Sequence, residues 1–243
     1  MILIINADDL GYDPAVTRGI LESMTRGAVT STTLMVNGPH SADAGDAVRG
    51  KGLGIGLHFN LARWAPVSAV PSSLLGADGG FSESKVGALT PEVVEAEALA
   101  QLQRLEALTG RAASHVDVHK HLHRHASVLE GLLRAASAMK LPVRSIDAAM
   151  RAAIQARGVA TNDHFIGDAR DDAYWTLQQL RAEVAALPGD GVVELMCHPG
   201  YVPTTLKSGY SAQREVELAT FVSDEARALL AAHAPVSWWA VGR

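Results

Sequence analysis

Short apolar runs and amphipathic segments alternate along most of the chain. The first apolar run, Ile2 to Ile5, predicts a buried strand, and Pro14 to Arg26 carries apolar residues at helical spacing. The same pattern predicts strands at 32–36, 53–59, 114–119, 142–146, 191–196 and 236–240, and helices at 90–108, 128–139, 174–187 and 215–232. This alternation indicates an α/β fold with mostly parallel strands, either an open sheet or a (β/α) barrel.

Local signals mark the ends of several elements. Asp13 before Pro14 and Thr90 before Pro91 are N-cap candidates, and Gly110 is the expected end of the second of these helices. Residues 64–89 are rich in Pro, Gly and Ser without clear periodicity, which favours a long loop or lid over a linker between domains. We therefore expect one domain spanning residues 1–243, a length at which α/β barrels are often single units.

Composition and charge exclude several classes of protein. Apolar residues make up 48% of the 243 residues, enough to bury a core, and the formal charge of −5 gives no basic footprint for nucleic acid. The apolar run at the N-terminus is too short for a signal peptide, and no segment has the roughly 18 apolar residues of a membrane helix. These observations predict a cytoplasmic protein that binds neither nucleic acid nor membrane.

Polar residues gather where the predicted strands end. Asp8 and Asp9 follow the first strand, His58 lies near the end of the 53–59 strand, and His198 follows the 191–196 strand. Because the carboxyl ends of parallel strands meet at one edge, these side chains should converge. Singly, each has a simpler reading: Asp8 and Asp9 could form a solvated turn, and a lone histidine on an apolar strand is usually a core residue. Together they point to a site, in which one carboxylate binds a cation and the other accepts a proton.

The segment HVDVHKHLHRH, residues 115–125, contains five of the ten histidines. In a strand its alternate residues His115, Asp117, His119 and His121 would share one face, about 6.6 Å apart. That spacing is too long for neighbours to bind one ion together, so we expect one of them to be a ligand and the others to orient it or to contact substrate. The alternative is a solvated, histidine-rich edge. Cys197 is the only cysteine, so any metal must be held by histidine and carboxylate.

Five segments in order, namely IINADDLGYDPAVTRGI, VTSTTLMVNGP, GIGLHFNL, HVDVHKHLH and CHPGY, resemble the motifs of the YdjC-like carbohydrate deacetylases, which include the chitooligosaccharide deacetylases. The resemblance implies an incomplete (β/α) barrel related to NodB-type polysaccharide deacetylases, and removal of acetyl from an N-acetylated sugar. It also implies metal ligands at Asp9, His58 and His119, a general base at Asp8 and a general acid, as imidazolium, at His198. Arg144 in LPVRSID matches a family arginine; it would keep Asp8 ionised or bind the sugar, unless it is simply a surface residue.

The chemistry of the resemblance leaves several points open. The family's metal is usually treated as Mg²⁺, whereas two imidazoles and one carboxylate suit Zn²⁺ or another transition metal at least as well. The substrate could be a small acetylated sugar or another acylated metabolite such as a hopanoid-pathway intermediate, and a homodimer is as compatible with the sequence as a monomer. A metal-dependent phosphoesterase, a metal-storage protein and a silent sugar-binding module are the competing functions.

Overall fold

Six strands form one sheet in the computed structural model, which describes residues 1–242. The strands are β1 (Ile2–Leu10), β2 (Ser31–Leu34), β3 (Gly54–Phe59), β4 (Val116–Val118), β5 (His164–Ile166) and β6 (Val192–Cys197). Their order across the sheet is β4-β3-β2-β1-β6-β5, and each adjacent pair is parallel. All carboxyl ends therefore lie at the same edge of the sheet.

Eight α-helices lie between the strands or after the last strand, within the part of the chain that the structure describes. They are α1 (Pro14–Thr25), α2 (Ser41–Val48), α3 (Pro91–Thr109), α4 (Ala126–Met139), α5 (Ala148–Ala156), α6 (Leu177–Ala185), α7 (Ala212–Val222) and α8 (Asp224–Ala231). Among residues 1–242, no helix is both long enough and apolar enough to cross a bilayer.

The sheet curls into a half-barrel whose open side is bridged by an irregular segment. Between β4 and the stretch before β5, the Arg144 N–H donates to the Val116 carbonyl at 3.0 Å and the Val143 N–H donates to the Ala160 carbonyl at 2.9 Å. The expected α/β fold, an incomplete barrel with parallel strands, is confirmed. A single domain over residues 1–243 stays a prediction, consistent with six strands in one sheet.

The prediction of a strand at 142–146 is wrong. The segment makes one isolated parallel bridge, between Val143 and Val116. Pro142 has no N–H for a ladder, and the N–H of Ser145 donates to the side chain of Asn162 at 2.7 Å instead of to a backbone carbonyl. The segment still occupies the position of a missing strand, and it brings Arg144 into the barrel interior.

The two faces of β1 bury apolar residues in different places. Leu3 and Ile5 belong to the main core between the sheet and the helices, whereas Ile4 packs with Trp238 and Val241 inside the curl of the sheet. Burial on both faces is typical of parallel strands. The C-terminal Trp238 thus closes the half-barrel at the end opposite the carboxyl edge, and the carboxyl edge remains open for a site.

The cap predictions are confirmed. Asp13 accepts a hydrogen bond from the Ala15 N–H at 2.8 Å at the start of α1, and Thr90 caps α3 by accepting from the Val93 N–H. Gly110 ends α3 in the left-handed region with φ 76°, a conformation that glycine adopts at little cost. These helix ends are encoded by a few adjacent residues.

Other elements differ from the predictions. The strand that we expected to end at Ile5 continues to Leu10, and the single helix expected at 215–232 is α7 and α8, because Ser223 ends the first and caps the second by accepting from the Ala226 N–H. The predicted strand at 236–240 is a short 3-10 helix, Trp238–Ala240. The sequence patterns also missed α2, α5 and β5.

The long loop at 64–89 is tied to the body of the protein. The buried carboxylate of Glu97 on α3 accepts hydrogen bonds from the N–H groups of Val67 and Ser68, and the Phe81 N–H donates to the Trp64 carbonyl at 2.8 Å. Two short 3-10 helices, Ser72–Leu74 and Glu83–Ala88, lie within the loop. These contacts pack the loop against the rest of the protein, near the carboxyl edge of the sheet.

Candidate active site

A cavity of about 410 Å³ opens at the carboxyl edge of the sheet. It is lined by six residues that the sequence patterns singled out: Asp8, Asp9, His58, His119, His121 and His198. They come from β1, the end of β3, the segment after β4 and the segment after β6. The topology of a parallel sheet therefore brings residues up to 190 positions apart to one place, as the strand-end rule requires.

An irregularity in β1 allows two consecutive aspartates to reach the same cavity. Successive residues of a regular strand point to opposite faces. The pairing of β1 with β2 shifts register between Ala7 and Leu10, and Asp9 lies there with φ 72° in the left-handed region. Such bulges redirect side chains, and aspartate tolerates this conformation better than most residues. The local strain at Asp9 is thus part of how the site is built.

Asp9, His58 and His119 form a compact triangle of potential ligand atoms. Asp9 Oδ1 lies 3.2 Å from His58 Nε2 and 3.2 Å from His119 Nδ1, and the two nitrogens are 3.0 Å apart. Atoms that bind one ion at about 2.1 Å lie within about 3.5 Å of each other. Asp9 Oδ1 is buried and, among the described residues, has no hydrogen-bond partner of acceptable geometry. The three residues therefore fit a divalent cation.

Asp117 orients the ring of His58. The Nδ1 atom of His58 lies 2.7 Å from Asp117 Oδ1, while the Thr33 hydroxyl donates to Asp117 Oδ2 at 2.9 Å. A carboxylate behind a histidine fixes its tautomer and leaves the other nitrogen for a metal. Burial would lower the pKa of His58, but Asp117, through its charge and hydrogen bond, helps to raise that pKa to about 10. A cation entering the triangle must displace this proton, so metal binding should weaken in acid.

Asp8 lies in an interior cluster, which we define as Asp8, Asp117, Arg144 and Glu194. Both carboxylate oxygens of Asp8 accept from Arg144, Nη1 and Nη2 donating at 2.7 Å each. Arg144 also donates to Glu194 and lies 2.9 Å from Asp117 Oδ2. Burial would raise the pKa of Asp8, but the charge and hydrogen bonds of Arg144 lower it well below its usual range. Asp8 is therefore ionised, and its orientation is fixed.

The position of Arg144 is inconsistent with two of the three interpretations made from the sequence. Its side chain is fully buried and does not line the cavity, so it is neither a surface residue nor placed to contact a sugar. The third reading, contact with Asp8, is what the structure shows. Three carboxylates surround this one guanidinium, and burial raises the pKa of Glu194, which reduces the negative charge that the interior must hold.

A second group of potential ligands, Asp8, His58 and Asp117, is less suited to an ion. It shares His58 with the triangle, and its two carboxylates already pair with Arg144 at 2.7 Å and 2.9 Å. A cation there would compete with a buried guanidinium for the same oxygens. The free oxygen of Asp9 has no such competitor, which favours the triangle as the metal position.

His198 follows β6 and lies on the cavity wall. Its backbone N–H donates to Glu217 on α7 at 2.5 Å, and its ring stands 5.2 Å from the ring of Tyr210. Burial lowers the pKa of His198 to about 4. The ring is therefore neutral at pH 7 in the free site, so it must gain a proton before it can act as the imidazolium that the resemblance implies.

The histidine-rich segment divides into a buried strand and a turn. At His119 the chain leaves β4 and enters a 3-10 helix, with Lys120 and His121 in the left-handed region at φ 55° and 53°. His121 reaches the cavity through this turn and meets Phe165 edge-on. The expectation that four alternating residues share one strand face is wrong, because the strand stops at Val118. A solvated edge is also wrong, since His123 is 1% exposed.

His115 lies away from the cavity. Its ring stacks on Trp238 with 4.7 Å between centroids, and its Nδ1 lies 2.9 Å from the Ser114 hydroxyl. Gly56 makes room for it, because a Cβ atom there would meet the His115 ring at 2.4 Å. His115 therefore packs inside the half-barrel, and the expectation of a substrate or orienting contact does not fit its position.

Several residues of the site were not expected from the sequence. Arg214 on α7 donates to Asp9 Oδ2 at 2.5 Å, and Glu194 on β6 binds Arg144. Further cavity-lining residues from loops are Tyr12, Arg63, Lys207 and Tyr210. The charged Glu194 within the apolar run VVELMC was a usable signal, whereas Arg214 lies on an amphipathic helix and nothing local distinguishes it.

Comparisons with known proteins place the chain in a well-defined group. The model of the YdjC-like protein family matches residues 2–232. A carbohydrate deacetylase of Geobacillus stearothermophilus is 37% identical over 223 residues, covering 89% of this chain and 87% of that protein. A chitooligosaccharide deacetylase of Serratia marcescens is 31% identical over 242 residues, covering 95% and 94%. A crystal structure from Enterococcus faecalis V583, of a protein provisionally assigned to cellobiose-phosphate cleavage, superimposes with a TM-score of 0.83 at 28% identity, covering 97% of this chain and 95% of that one.

Proposed function

The chain belongs to the YdjC-like protein family, and on that premise we propose that it is a metal-dependent hydrolase that removes the acetyl group from an N-acetylated sugar. The relatives named carbohydrate deacetylase and chitooligosaccharide deacetylase support the reaction, because the chain aligns with them over nearly its whole length. The amide bond is the target, acetate is one product, and the free amino sugar is the other.

One observation carries the proposal: Asp9 Oδ1, His58 Nε2 and His119 Nδ1 lie within 3.2 Å of one another in the wall of the cavity. Three ligand atoms of these types, held this close together, match the spacing of donors around one divalent ion. Asp9, His58 and His119 would hold that cation. A divalent ion bound there would polarise the acetyl carbonyl and lower the pKa of a water molecule beside it.

Asp8 is the proposed general base. It lines the cavity next to Asp9, and its carboxylate is ionised and fixed by two hydrogen bonds from Arg144. A fixed carboxylate can accept the proton of an attacking water without reorienting. Its low pKa makes it a weak base in isolation, so it can act only on a water that is already acidified. General-base catalysis by Asp8 therefore depends on a cation bound by Asp9, His58 and His119.

His198 is the proposed general acid. Its ring lines the cavity on the side of β6, opposite the histidines of β3 and β4 in the sheet order. The ring is neutral in the free site because burial lowers its pKa to about 4. We propose that it takes up a proton from solvent when negative charge develops on the substrate beside it and then protonates the leaving amine, while the proton that Asp8 accepts from the attacking water returns to solvent.

The cavity suits a small sugar. About 410 Å³ lies at the lower end of the range for small-molecule sites, and Tyr12 and Tyr210 are among the residues that line the cavity. Arg63 donates to the Tyr12 hydroxyl at 2.7 Å, which leaves its other donors for substrate oxygens. The donor set of two imidazoles and one carboxylate favours Zn²⁺ or another transition metal, and Mg²⁺ is the ion expected from the resemblance.

The competing functions fit the site less well. A phosphoesterase with two metals needs further free carboxylates, but those of Asp8 and Asp117 are already paired with Arg144. A metal-storage protein has no use for a fixed carboxylate such as Asp8 beside the ion. Another acylated metabolite would require the same chemistry with a different leaving group.

The experiment that tests the proposal measures acetate release from N-acetylglucosamine mono- and disaccharides, plain and 6-phosphorylated. Metal-stripped protein would receive Mg²⁺, Zn²⁺, Co²⁺ or Ni²⁺ separately. We expect acetate only after a metal is restored, and only with N-acetylated compounds. Acetate release that is equal with and without metal would contradict metal dependence. Silence with every sugar and every metal would contradict the sugar substrate, and the same assay on other acylated compounds would follow.

A further inference from the structure

Arg214 is a charged residue that the proposed chemistry does not yet use. It lies on α7, is 2% exposed, and its side chain forms part of the cavity wall. Its Nη2 atom donates to Asp9 Oδ2 at 2.5 Å, in a pair whose side chains are 3% and 4% exposed. Because 205 positions separate the two residues, the contact joins the last part of the chain to the end of β1.

The contact gives the two carboxylate oxygens of Asp9 different partners. Oδ2 is occupied by the guanidinium of Arg214, and Oδ1 is the atom that faces His58 and His119. A carboxylate can turn about its Cβ–Cγ bond, and that torsion is soft. Among the described residues, Arg214 is the one donor with good hydrogen-bond geometry to the Asp9 carboxylate, so without the guanidinium neither oxygen is fixed toward the imidazoles. Arg214 therefore determines that Asp9 presents a single oxygen at a defined position.

Arg214 is itself held in place. Its Nε donates to the Tyr210 carbonyl at 2.9 Å, and its own carbonyl accepts from the Gly200 N–H at 3.1 Å. The rings of Tyr12 and Tyr210 lie 5.7 Å and 5.8 Å from its Cζ atom. A guanidinium clamped in this way cannot follow Asp9 if the carboxylate moves, so the position of the arginine governs that of the aspartate.

We propose that Arg214 is a positioning residue that fixes the Asp9 carboxylate for binding a divalent cation. The inference rests on the proposed metal site at Asp9, His58 and His119. The inference also predicts the direction in which metal affinity changes when Arg214 is replaced. A positive guanidinium repels a nearby cation, so an arginine that served only to neutralise charge would weaken metal binding, and its removal would strengthen it. An arginine that positions the ligand has the opposite effect, and its removal weakens binding.

The test is a titration of metal-stripped protein with Co²⁺, followed by its visible absorption, for wild type, Arg214→Met and Arg214→Lys. Loss of a residue that orients a metal ligand costs about 10- to 100-fold in metal affinity, and we expect this range for Arg214→Met. Arg214→Lys keeps the charge and can make one hydrogen bond, so its affinity should lie between the other two. The control is Arg18→Met, which removes an exposed arginine that stacks on the Tyr201 ring, and it should bind Co²⁺ as wild type does.

Unchanged or tighter Co²⁺ binding by folded Arg214→Met would overturn the inference. If circular dichroism shows that this variant does not fold, Arg214→Lys decides: weaker binding with an altered Co²⁺ spectrum supports positioning, and wild-type binding and spectrum contradict it. The titration needs no substrate. Wild-type protein that binds Co²⁺ but releases no acetate would leave the role of Arg214 intact while the deacetylase proposal fails, whereas wild type that binds no Co²⁺ would overturn the inference itself.

Discussion

Asp8 and Asp9 are adjacent and both are buried at the same cavity, but the regions around them differ. Asp8 belongs to the interior cluster, where both of its oxygens accept hydrogen bonds from Arg144. Asp9 gives one oxygen to Arg214 and turns the other toward His58 and His119. The interior cluster is closed by its own ion pairs. In the proposed function, a bound cation completes the metal triangle, which is Asp9 with its two histidines.

This difference shows how a fold gives two identical side chains different chemistry. Each carboxylate meets an arginine, and burial alone would raise the pKa of both, yet the arginines lower it in both. What differs is the number of oxygens already used. A carboxylate with both oxygens paired stays fixed as an anion that can accept a proton, and one with a free oxygen can bind a metal.

Loss of a triangle histidine should have the largest effect. His58→Ala and His119→Ala each remove a proposed ligand, so both should lose stoichiometric metal and most activity. We expect kcat/KM to fall by about 10³-fold or more, the equivalent of several kcal/mol of transition-state stabilisation. Metal content after gel filtration and acetate release check this, with His40→Ala as the control because His40 lies outside the triangle. Full metal content in either variant would show that the triangle is misassigned.

Asp8→Asn should distinguish the role of the interior cluster from that of the metal triangle. Asparagine has nearly the shape of aspartate but cannot serve as a base, so metal should remain while kcat falls by about 10²- to 10⁴-fold. Metal content and acetate release measured on the same preparation provide the check. A variant that lost the metal together with the activity would mean that Asp8 is a ligand, and the division between the two aspartates would be wrong.

Arg144→Met should destabilise the fold. Removing the one guanidinium leaves the carboxylates of Asp8, Asp117 and Glu194 buried without their partner. Breaking a buried ion pair in this way costs about 3–5 kcal/mol in the free energy of unfolding. Urea denaturation of metal-stripped protein measures it. Arg134→Met removes an arginine paired on the surface and should have a much smaller effect. Equal losses in the two variants would contradict a closed interior cluster.

The smallest predicted effect concerns the pH dependence of stability. Burial, followed by the charge of Arg144, lowers the pKa of His123 to about 3, from an ordinary value of 6.5. The unfolded chain therefore binds a proton that the folded protein rejects, and stability is lost as the pH falls below about 6.5. His123→Leu should reduce the loss of unfolding free energy between pH 7 and pH 5 by about 2 kcal/mol. Urea denaturation at both pH values provides the measurement. If the variant loses as much unfolding free energy between pH 7 and pH 5 as wild type does, His123 is not the cause of that loss.

Much of the fold and part of the site could be predicted from the sequence. The apolar periodicity predicts the alternation of strands and helices, and the strand-end rule brings Asp8, Asp9, His58, His119 and His198 to one edge. Caps such as Asp13 and Thr90 act within a few residues, so the local sequence reveals them. These features depend on patterns along the chain or on a general rule of topology.

The remaining features depend on tertiary contacts. The bulge at Asp9 and the turn at Lys120 and His121 place residues in conformations that no periodicity indicates. Arg214 acts across 205 positions, and its helix has an ordinary amphipathic pattern. The segment around Arg144 fails to form a strand because Ser145 pairs with a side chain. Such contacts are set by the assembled fold, and local sequence cannot report them.

The most direct test of the account is the position of the metal in a crystal of the protein soaked with Zn²⁺, measured by anomalous diffraction at the zinc edge. We predict one strong peak between Asp9 Oδ1 and the facing nitrogens of His58 and His119, with Asp8 still paired with Arg144. A peak between Asp8 and Asp117, or no peak in the cavity, would contradict the assignment of the two aspartates.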